Sequence, residues 1–545
     1  MAKATPQPAA TPSKVMATST AALRVGSGSR LVIAPMLARG AGHGPYTEAM
    51  TLTELLRDLP VLSVHGTIDV PITGITADSR AVRAGDLFVA LPGRQFDGHA
   101  FIGAAVAAGA AAIVCEHPPE PTPPIPVAAV ADAPQALGML ASAFYGHPSR
   151  QIKLIGVTGT DGKTSTTTLT AAVLRQAGLR TAHLTTVEVH DGVAAMPNTA
   201  GFTTPQAMDV QRFLAAAVAQ GCTAAVLEVS SHALATGRVA GCEFDIAVFT
   251  NLAPEHLDYH HTLEEYRAEK GKLFLMLAAP RTKSGVPTGI VNAGDPNAAY
   301  FQGLAPRCVT FGFANAGVLA LDVRYTPNGT SFRLAAPAGQ VTVGTRLLGA
   351  FNVENWLAAA AAALAAGAGL RPIVEAAART SAPPGRLERL TVDRPFQVFV
   401  DFAHTPHGLA AALDALRPIT PGRLIAVFGH AGRRDINHRR GLLEAARGRA
   451  DTVILTMDDP YDEDPAAILT QMQAAAQDLG FRQERDLHCI LDRREAFRAA
   501  FALAGVGDTV LLAGRGHETY IPLNGQRLPF HDPTVARELL TTTTA

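Results

Sequence analysis

Residues 158–165 read Thr158-Gly159-Thr160-Asp161-Gly162-Lys163-Thr164-Ser165 and follow directly on the apolar run Ile152–Val157. A polyphosphate concentrates several negative charges in a small volume. Binding it takes backbone N–H groups turned inward, a helix N-terminus and a cation. In this segment Gly159 and Gly162 can supply the turn, Lys163 can reach β- and γ-phosphates, and Thr164 can place its hydroxyl on Mg²⁺. The strict GxxxxGK[ST] pattern is not met, because Val157 stands where its first Gly belongs. The alternative is an ordinary strand-to-helix turn carrying a surface lysine. Taken alone, the loop specifies a nucleotide, ATP before others, and not what is done with it.

The loop needs a buried strand before it and a helix after it, and the surrounding pattern provides both. Apolar runs Ile152–Val157, Ala224–Val229 and Ile246–Thr250 alternate with helical stretches, the first opening near Lys163. Such runs, bounded by loops, predict a parallel sheet covered on both faces. From about residue 382 the rhythm restarts, with strands expected at Gln397–Val400, Leu424–Phe428, Thr452–Thr456 and Thr509–Leu512. Ahead of the loop, strand-like runs lie at Ile75–Arg80, Asp86–Leu91 and Ala111–Cys115, and the Pro-rich stretch Pro118–Pro126 reads as a loop. This gives blocks at 51–150, 151–381 and 382–545. Residues 1–50 are rich in Ala, Pro, Ser, Thr and Gly, with Lys3, Lys14, Arg24, Arg30 and Arg39 against Glu48. They are expected to be a disordered tail or an over-extended start, with Met50 as the true one.

Composition narrows the function classes. The 545 residues are 48% hydrophobic and 17% charged, enough for several cores and too apolar for a disordered chain. A formal charge of −1 gives no global attraction to nucleic acid or an anionic membrane. The apolar windows Ala100–Cys115 and Leu357–Leu370 are short of a membrane span. Five scattered cysteines form no CxxC pair, which fits a reducing cytoplasm.

Outward from the loop, further motifs follow in order: Glu228-Val229-Ser230-Ser231-His232; Thr250-Asn251-Leu252 with His256-Leu257-Asp258-Tyr259-His260; Tyr266-Arg267-Ala268-Glu269-Lys270; Gly349-Ala350-Phe351-Asn352; Pro384-Gly385-Arg386-Leu387-Glu388; Asp401-Phe402-Ala403-His404-Thr405-Pro406; and Gly514-Arg515-Gly516-His517-Glu518. In spacing and order the chain resembles the Mur ligases, ATP-dependent enzymes that add amino acids to the peptidoglycan precursor. Asp78-Ser79-Arg80 and Gly85-Asp86-Leu87-Phe88-Val89-Ala90 make it most similar to the branch that adds the third residue.

The resemblance implies three α/β domains: a small N-terminal UDP-sugar domain, a central ATPase domain with a parallel sheet of the P-loop kind, and a C-terminal Rossmann-like domain for the amino acid. It implies ATP and Mg²⁺ as cofactors, with a UDP-N-acetylmuramoyl dipeptide and a free amino acid as partners. No nucleic-acid or membrane partner is expected, and a monomer is favoured. Gly159, Thr160, Asp161, Gly162, Lys163, Thr164 and Ser165 would hold the ATP phosphates, Asn352 and Asp401 the adenine side, and Arg386 a phosphate across the cleft. Thr164, Glu228 and His256 would be metal contacts. Lys270 would be carbamylated to N6-carboxylysine and, with Lys163, Glu228 and His256, serve catalysis. Each has a plain competitor: a salt bridge for Glu228, a structural hydrogen bond for His256, a surface lysine paired with Glu265 or Glu269 for Lys270, and caps or turns for Asn352 and Asp401. Ala77, Ser79, Arg94, Gln95, Phe96, Thr203, Thr204, Ser230 and Arg238 would contact the UDP-sugar peptide. Phe202 and Thr236 depart from the family's usual Asn and Gln.

For the amino acid the resemblance points to Arg434, Gly514, Glu518 and the loop Asp458-Asp459-Pro460-Tyr461. Family members that add meso-diaminopimelate read Asp-Asn-Pro-Arg here, their Arg pairing the distal carboxylate. Tyr461 cannot do this, and Asp459 adds an anion. A negative loop favours a side chain ending in an ammonium, so L-lysine or L-ornithine is expected over meso-diaminopimelate. The diaminopimelate reading stays open if Arg433, Arg434, Arg439 or Arg440 supplies the missing charge. Competing functions are a folylpolyglutamate or cyanophycin synthetase-like ligase, and a nucleotide-binding scaffold without chemistry.

Overall fold

The computed structural model describes residues 50–93, 96–198 and 202–542. The expectations for residues 1–49, Arg94 and Gln95 lie outside them. Three sheets organise the chain. The first has five strands in the order Val61–His65, Val127–Val130, Ala112–Cys115, Asp86–Val89 and Gly74–Thr76, antiparallel only at the first pair. The run expected as strand over Ile75–Arg80 stops at Thr76. Asp78 instead accepts the Arg80 N–H at 3.0 Å and caps a 3₁₀ turn, Ser79–Ala81, because a short carboxylate competes with the strand for local backbone donors.

The central sheet has eleven strands, parallel through its middle. Lys153–Thr158 lies between Ala224–Glu228 and Ile246–Phe249, all in register as parallel neighbours. The continuous apolar runs arise because both faces are covered. Ile155, Val157, Val226 and Val248 pack with Leu169, Val173, Trp356 and Leu357 from the helices Lys163–Gln176 and Ala350–Ala365. Leu154, Leu227 and Phe249 pack on the other side with Phe213, Leu273, Phe274 and Phe301. Each such side chain contributes roughly 1.5–3 kcal/mol by leaving water. Both edges are antiparallel: Thr181–Leu184 pairs with Glu188–His190, which pairs in turn with Ala195–Pro197, and Val318–Thr326, Gly329–Ala336 and Gly339–Thr345 form a meander on the other side. The expectation of a simple parallel sheet is corrected there.

In the last sheet Glu388–Leu390 is antiparallel to Gln397–Asp401. Thr509–Ala513, Leu424–Phe428, Thr452–Leu455 and Leu487–Cys489 follow in parallel. In a parallel sheet ligands gather beyond the strands' carboxyl ends, and Thr158, Glu228, Asp401 and Ala513 all close their strands. Among the described residues no helix is long and apolar enough to cross a membrane.

Candidate active site

Strand Lys153–Thr158 and helix Lys163–Gln176 hold the loop between them. Gly159 (φ +148°) and Gly162 (φ +82°) sit where side chains cannot: an added Cβ would lie 1.9 Å from Thr250 Oγ1 and 2.4 Å from Asn355 Oδ1. The Thr160 and Asp161 amides donate to Asn251, at 2.9 and 2.8 Å, which pins the loop on the next strand's exit. The first helical amide with an acceptor is that of Thr166, on Gly162 O at 2.8 Å. The amides before it are the unpaired donors of a helix start, facing a cleft. Lys163 folds back, donating to Thr160 O at 2.7 Å and Gly159 O at 3.2 Å, and lines that cleft together with Glu228.

Glu228 is 2% exposed, and its Oε2 accepts from the Thr164 hydroxyl at 3.0 Å and the Thr186 amide at 2.9 Å. This is not a surface salt bridge. Lys270 is 1% exposed on the helix Leu263–Ala278 and donates to Gly159 O at 2.7 Å, with its ammonium 4.1 Å from the Tyr266 ring centroid. The surface-lysine reading is therefore excluded; it is Lys272 that pairs with Glu269, at 2.8 Å. Burial and the neighbouring Lys163 push the Lys270 amine well below its ordinary value, against the pull of Glu255 and Asp161.

His256 (φ +57°) lines the same cleft, its Nε2 3.6 Å from Glu255. Burial lowers its pKa to about 3; Glu255 opposes the shift, while His232, Arg434 and Lys270 add to it. The neutral imidazole that results is the form that ligates metal. From the C-terminal domain His404 approaches the same Glu255 oxygen at 3.5 Å. Burial works against the charged forms of both partners, yet their mutual attraction wins: Glu255 is held below the usual carboxylate range and His404 above the usual imidazole value.

Asp401 and Arg386 also come from the C-terminal side. Burial raises Asp401 to about 6, against Arg386 and against donors from Leu387 and Ala403. Arg386 lies 4.5 Å over the Phe402 ring and reaches Thr164 Oγ1 at 3.3 Å, while its Nε is buried without a partner among the described residues. His407 bonds Asp161 of the loop at 3.0 Å.

The donors fit a magnesium nucleotide. The loop packs so closely on Thr250 and Asn355 that a Cβ would displace it, Arg386 lines the cleft with its Nε unpartnered among the described residues, and Thr164 and Glu228 offer hard oxygens. Among the described residues no group of three or more His, Cys, Asp and Glu could cage a metal unaided. That suits Mg²⁺, which takes one or two carboxylates and completes its shell with phosphate and water.

On one flank lie Thr203 and Ser230. Thr204 Oγ1 donates to Glu228 O at 2.8 Å, and Arg238 donates to Thr204 O at 2.9 Å. Phe202 lies 5.1 Å under the Arg238 guanidinium, and Thr236 donates to His232 O at 2.6 Å within its own helix. Arg434 also lines the cleft, two residues after Gly432, whose amide donates to Asp459 O of the loop 458–461 at 2.8 Å. Asp458 and Asp459 are buried, Asp459 pairs with the fully buried Arg515, and an added Cβ on Gly514 (φ +110°) would lie 2.1 Å from Asp458 Oδ2. Tyr461 (φ +55°) is fixed through its backbone, donating to Pro522 O at 3.0 Å and accepting from Asn524 N at 2.6 Å.

Family models match along the chain: the Mur ligase family, catalytic domain over 71–145, the Mur ligase middle domain over 157–363, and the Mur ligase, glutamate ligase domain over 385–516. The chain is 42% identical to a UDP-N-acetylmuramoyl-L-alanyl-D-glutamate–2,6-diaminopimelate ligase of Geobacillus kaustophilus (strain HTA426), over 90% of this chain and 99% of that one. The chain belongs to the Mur ligase family. It is also 43% identical to a UDP-N-acetylmuramyl-tripeptide synthetase of Roseiflexus sp. (strain RS-1), with the same coverage. A solved structure of a UDP-N-acetylmuramoyl-L-alanyl-D-glutamate–2,6-diaminopimelate ligase superposes with a TM-score of 0.64 at 32% identity, covering 91% of this chain and 100% of that one.

Within this Mur ligase, one cleft gathers Lys163, Thr164, Glu228, His256, Lys270, Arg386, Asp401, Thr203, Ser230 and Arg434. It does not gather every residue singled out from sequence. Asn352 turns away, its amide donating to Leu348 O at 2.9 Å, and Asn355, one helical turn on, lines the cleft in its place. Ala77, Ser79, Phe96, Thr204, Arg238, Gly514, Glu518 and the loop 458–461 do not line it, and Phe96 is 74% exposed. Glu255, His404 and His407 were missed; Glu255 and His404 sit inside the quoted motif neighbourhoods, which was the signal available.

The expectation that Asp459 adds a free anion beside Tyr461 is also corrected. Asp459 is paired with Arg515, Asp462 with Arg433 and Glu463 with Arg439, and Asp464 caps the helix Pro465–Asp478. What remains is Asp458 Oδ2, buried without a hydrogen-bond partner among the described residues, near Glu518.

Proposed function

We propose that this Mur ligase joins a diamino acid to UDP-N-acetylmuramoyl-L-alanyl-D-glutamate, in the cytoplasm, at the expense of ATP. The observation that carries the reading is the single cleft in which the nucleotide loop, the Thr164–Glu228 pair and the buried Lys270 lie between Thr203 and Ser230 on one flank and Arg434 on the other. Bound ATP with Mg²⁺ would supply the phosphoryl group that activates the glutamyl carboxylate as an acyl phosphate, leaving ADP, and the incoming amine would displace that phosphate. The helix-start amides and Lys163 hold the phosphates. Thr164 and Glu228 would offer oxygens to the metal, and His256 and Lys270, once carbamylated, would hold a second. Arg386, reaching Thr164 from the other domain, neutralises charge as two anions approach. Arg238 and the Thr203–Thr204 pair serve the sugar-peptide.

The charges beside the loop suit L-lysine or L-ornithine. Arg433, Arg439 and Arg440 are each paired with a carboxylate, whereas Arg434 makes no ion pair among the described residues. The flank thus offers one open cation against Asp458, with Glu518 already 3.6 Å from Arg515. Lysine and ornithine bring one carboxylate and two ammonium groups, while meso-diaminopimelate brings a second carboxylate that would need Arg433 to leave Asp462. The Roseiflexus relative's name specifies no amino acid, and the Geobacillus relative's names diaminopimelate.

The test is phosphate release by purified enzyme with Mg-ATP, the UDP-muramoyl dipeptide and a panel of lysine, ornithine and meso-diaminopimelate. Release should require all three substrates. Turnover indifferent to the UDP-sugar peptide would support a folylpolyglutamate synthetase-like reaction instead.

A further inference from the structure

Behind the amino-acid flank two fully buried arginines share one carboxylate. Arg493 opens the helix Arg493–Leu503 and grips Asp532, the first residue of the helix Asp532–Thr542, through Nε at 3.0 Å and Nη2 at 2.5 Å. Both side chains have 0% exposure. The same guanidinium donates to Ala513 O at 3.0 Å and Met457 O at 3.2 Å. Those carbonyls immediately precede Gly514 and Asp458. Arg515, also fully buried, lies 4.0 Å from Asp532, pairs with Asp459 and stands 3.6 Å from Glu518.

A buried ion pair is a poor source of stability, since desolvation of both charges offsets their attraction, and an apolar pair of similar volume often serves as well. What this one supplies is geometry. One planar guanidinium fixes two chain segments at the ends of separate strands, and its counter-ion lies 4.0 Å from Arg515, the arginine beside Asp459 and Glu518. We propose that Arg493 and Asp532 are positioning residues for the amino-acid substrate, setting the height at which Asp458, Gly514 and Glu518 meet the incoming amine. The assignment rests on the functional reading above, in which those residues face the amino acid.

The test replaces the pair by apolar side chains, Arg493→Met with Asp532→Leu, and measures thermal unfolding, ATP binding and KM for each substrate in the full-length enzyme. The expected result is cooperative unfolding, unchanged ATP affinity and unchanged KM for the UDP-dipeptide, with KM for the amino acid raised on the order of tenfold or more. Arg493→Lys keeps the charge but loses the fork, so it should show the same split to a smaller degree, and it decides the matter if the double variant does not fold. An unmoved amino-acid KM, or a parallel rise for all three substrates, overturns the assignment. Wild-type enzyme that released no phosphate with any amino acid would overturn the functional reading beneath it.

Discussion

Lys163 and Lys270 donate to one acceptor: the Gly159 carbonyl receives the first at 3.2 Å and the second at 2.7 Å. Two ammonium groups cannot comfortably share a single dipole away from water. Lys270 lies deeper and is the group whose amine is pushed toward neutrality. A neutral amine is also the form that adds CO₂. Carbamylation would replace a repelled cation by an anion between Lys163 and the metal side of the cleft.

The first prediction follows. Lys270→Ala should lower ligation by about three orders of magnitude while nucleotide binding persists, since Lys163 still donates to the Gly159 carbonyl that loses Lys270. Intact mass and activity of the wild type should both respond to bicarbonate. A Lys270→Gln enzyme with wild-type turnover in CO₂-free buffer would exclude the modification.

Glu228 presents only one of its oxygens to the protein, because the Thr164 hydroxyl and the Thr186 amide both meet Oε2. Oε1 has no protein donor among the described residues, which leaves it for a cation. Glu228→Gln keeps the shape and removes the charge. It should cut kcat by about 10²–10³-fold and raise the Mg²⁺ concentration needed for half-maximal rate. A variant with normal magnesium dependence would show that the carboxylate only braces the loop.

Gly159→Ala and Gly162→Ala test the cradle. Both place a Cβ within 2.4 Å of a polar atom at a positive φ, a combination that costs about 1–3 kcal/mol in strain before any nucleotide arrives. Lower thermal stability with severely weakened ATP binding is expected in each, measured by calorimetry. Retained ATP affinity in both would mean that the loop does not wrap the phosphates.

The loop, the buried strands and most cleft residues could be read from sequence because they depend on local pattern: a strand, a turn that demands glycine, and a helix start. Asn352 misled because two asparagines lie one helical turn apart, and only packing decides which faces the cleft. The acidic loop misled for a related reason. Its charges look additive in sequence, but their partners Arg433, Arg439 and Arg515 come from other segments. The antiparallel edges also needed long-range pairing that no local window contains.

Glu255 and His404 join the central and C-terminal domains, and their tie should depend on pH. His404 is raised above its ordinary value of 6.5, so its contribution is complete below that pH and fades as pH rises through the raised value. Glu255 is held below its ordinary 4.5, so its contribution is complete above that pH and is lost as pH falls through the lowered value. The pair therefore works fully between about pH 4.5 and 6.5. The stability gap between wild type and Glu255→Gln, followed by thermal unfolding in a pH series, should be widest there and shrink on either side. A gap that is flat in pH would mean that the two side chains do not act as an ion pair.

Tyr461 allows the amino-acid choice to be tested by a single change. Its backbone is fixed by Pro522 and Asn524, so a new side chain can enter without moving the loop. Its ring lies 5.7 Å from the Arg433 guanidinium, and Arg434, Glu518 and Asp458 are all near enough to act on its phenol. Tyr461→Arg would add a second open cation and so accommodate a second substrate carboxylate. The ratio of kcat/KM for meso-diaminopimelate to that for lysine should then rise on the order of tenfold, the worth of about 1.4 kcal/mol. Tyr461→Phe, which changes no charge, should leave the ratio alone. If Tyr461→Arg also leaves it alone, the distal end of the substrate does not reach this residue, and discrimination must come from Asp458 and Glu518.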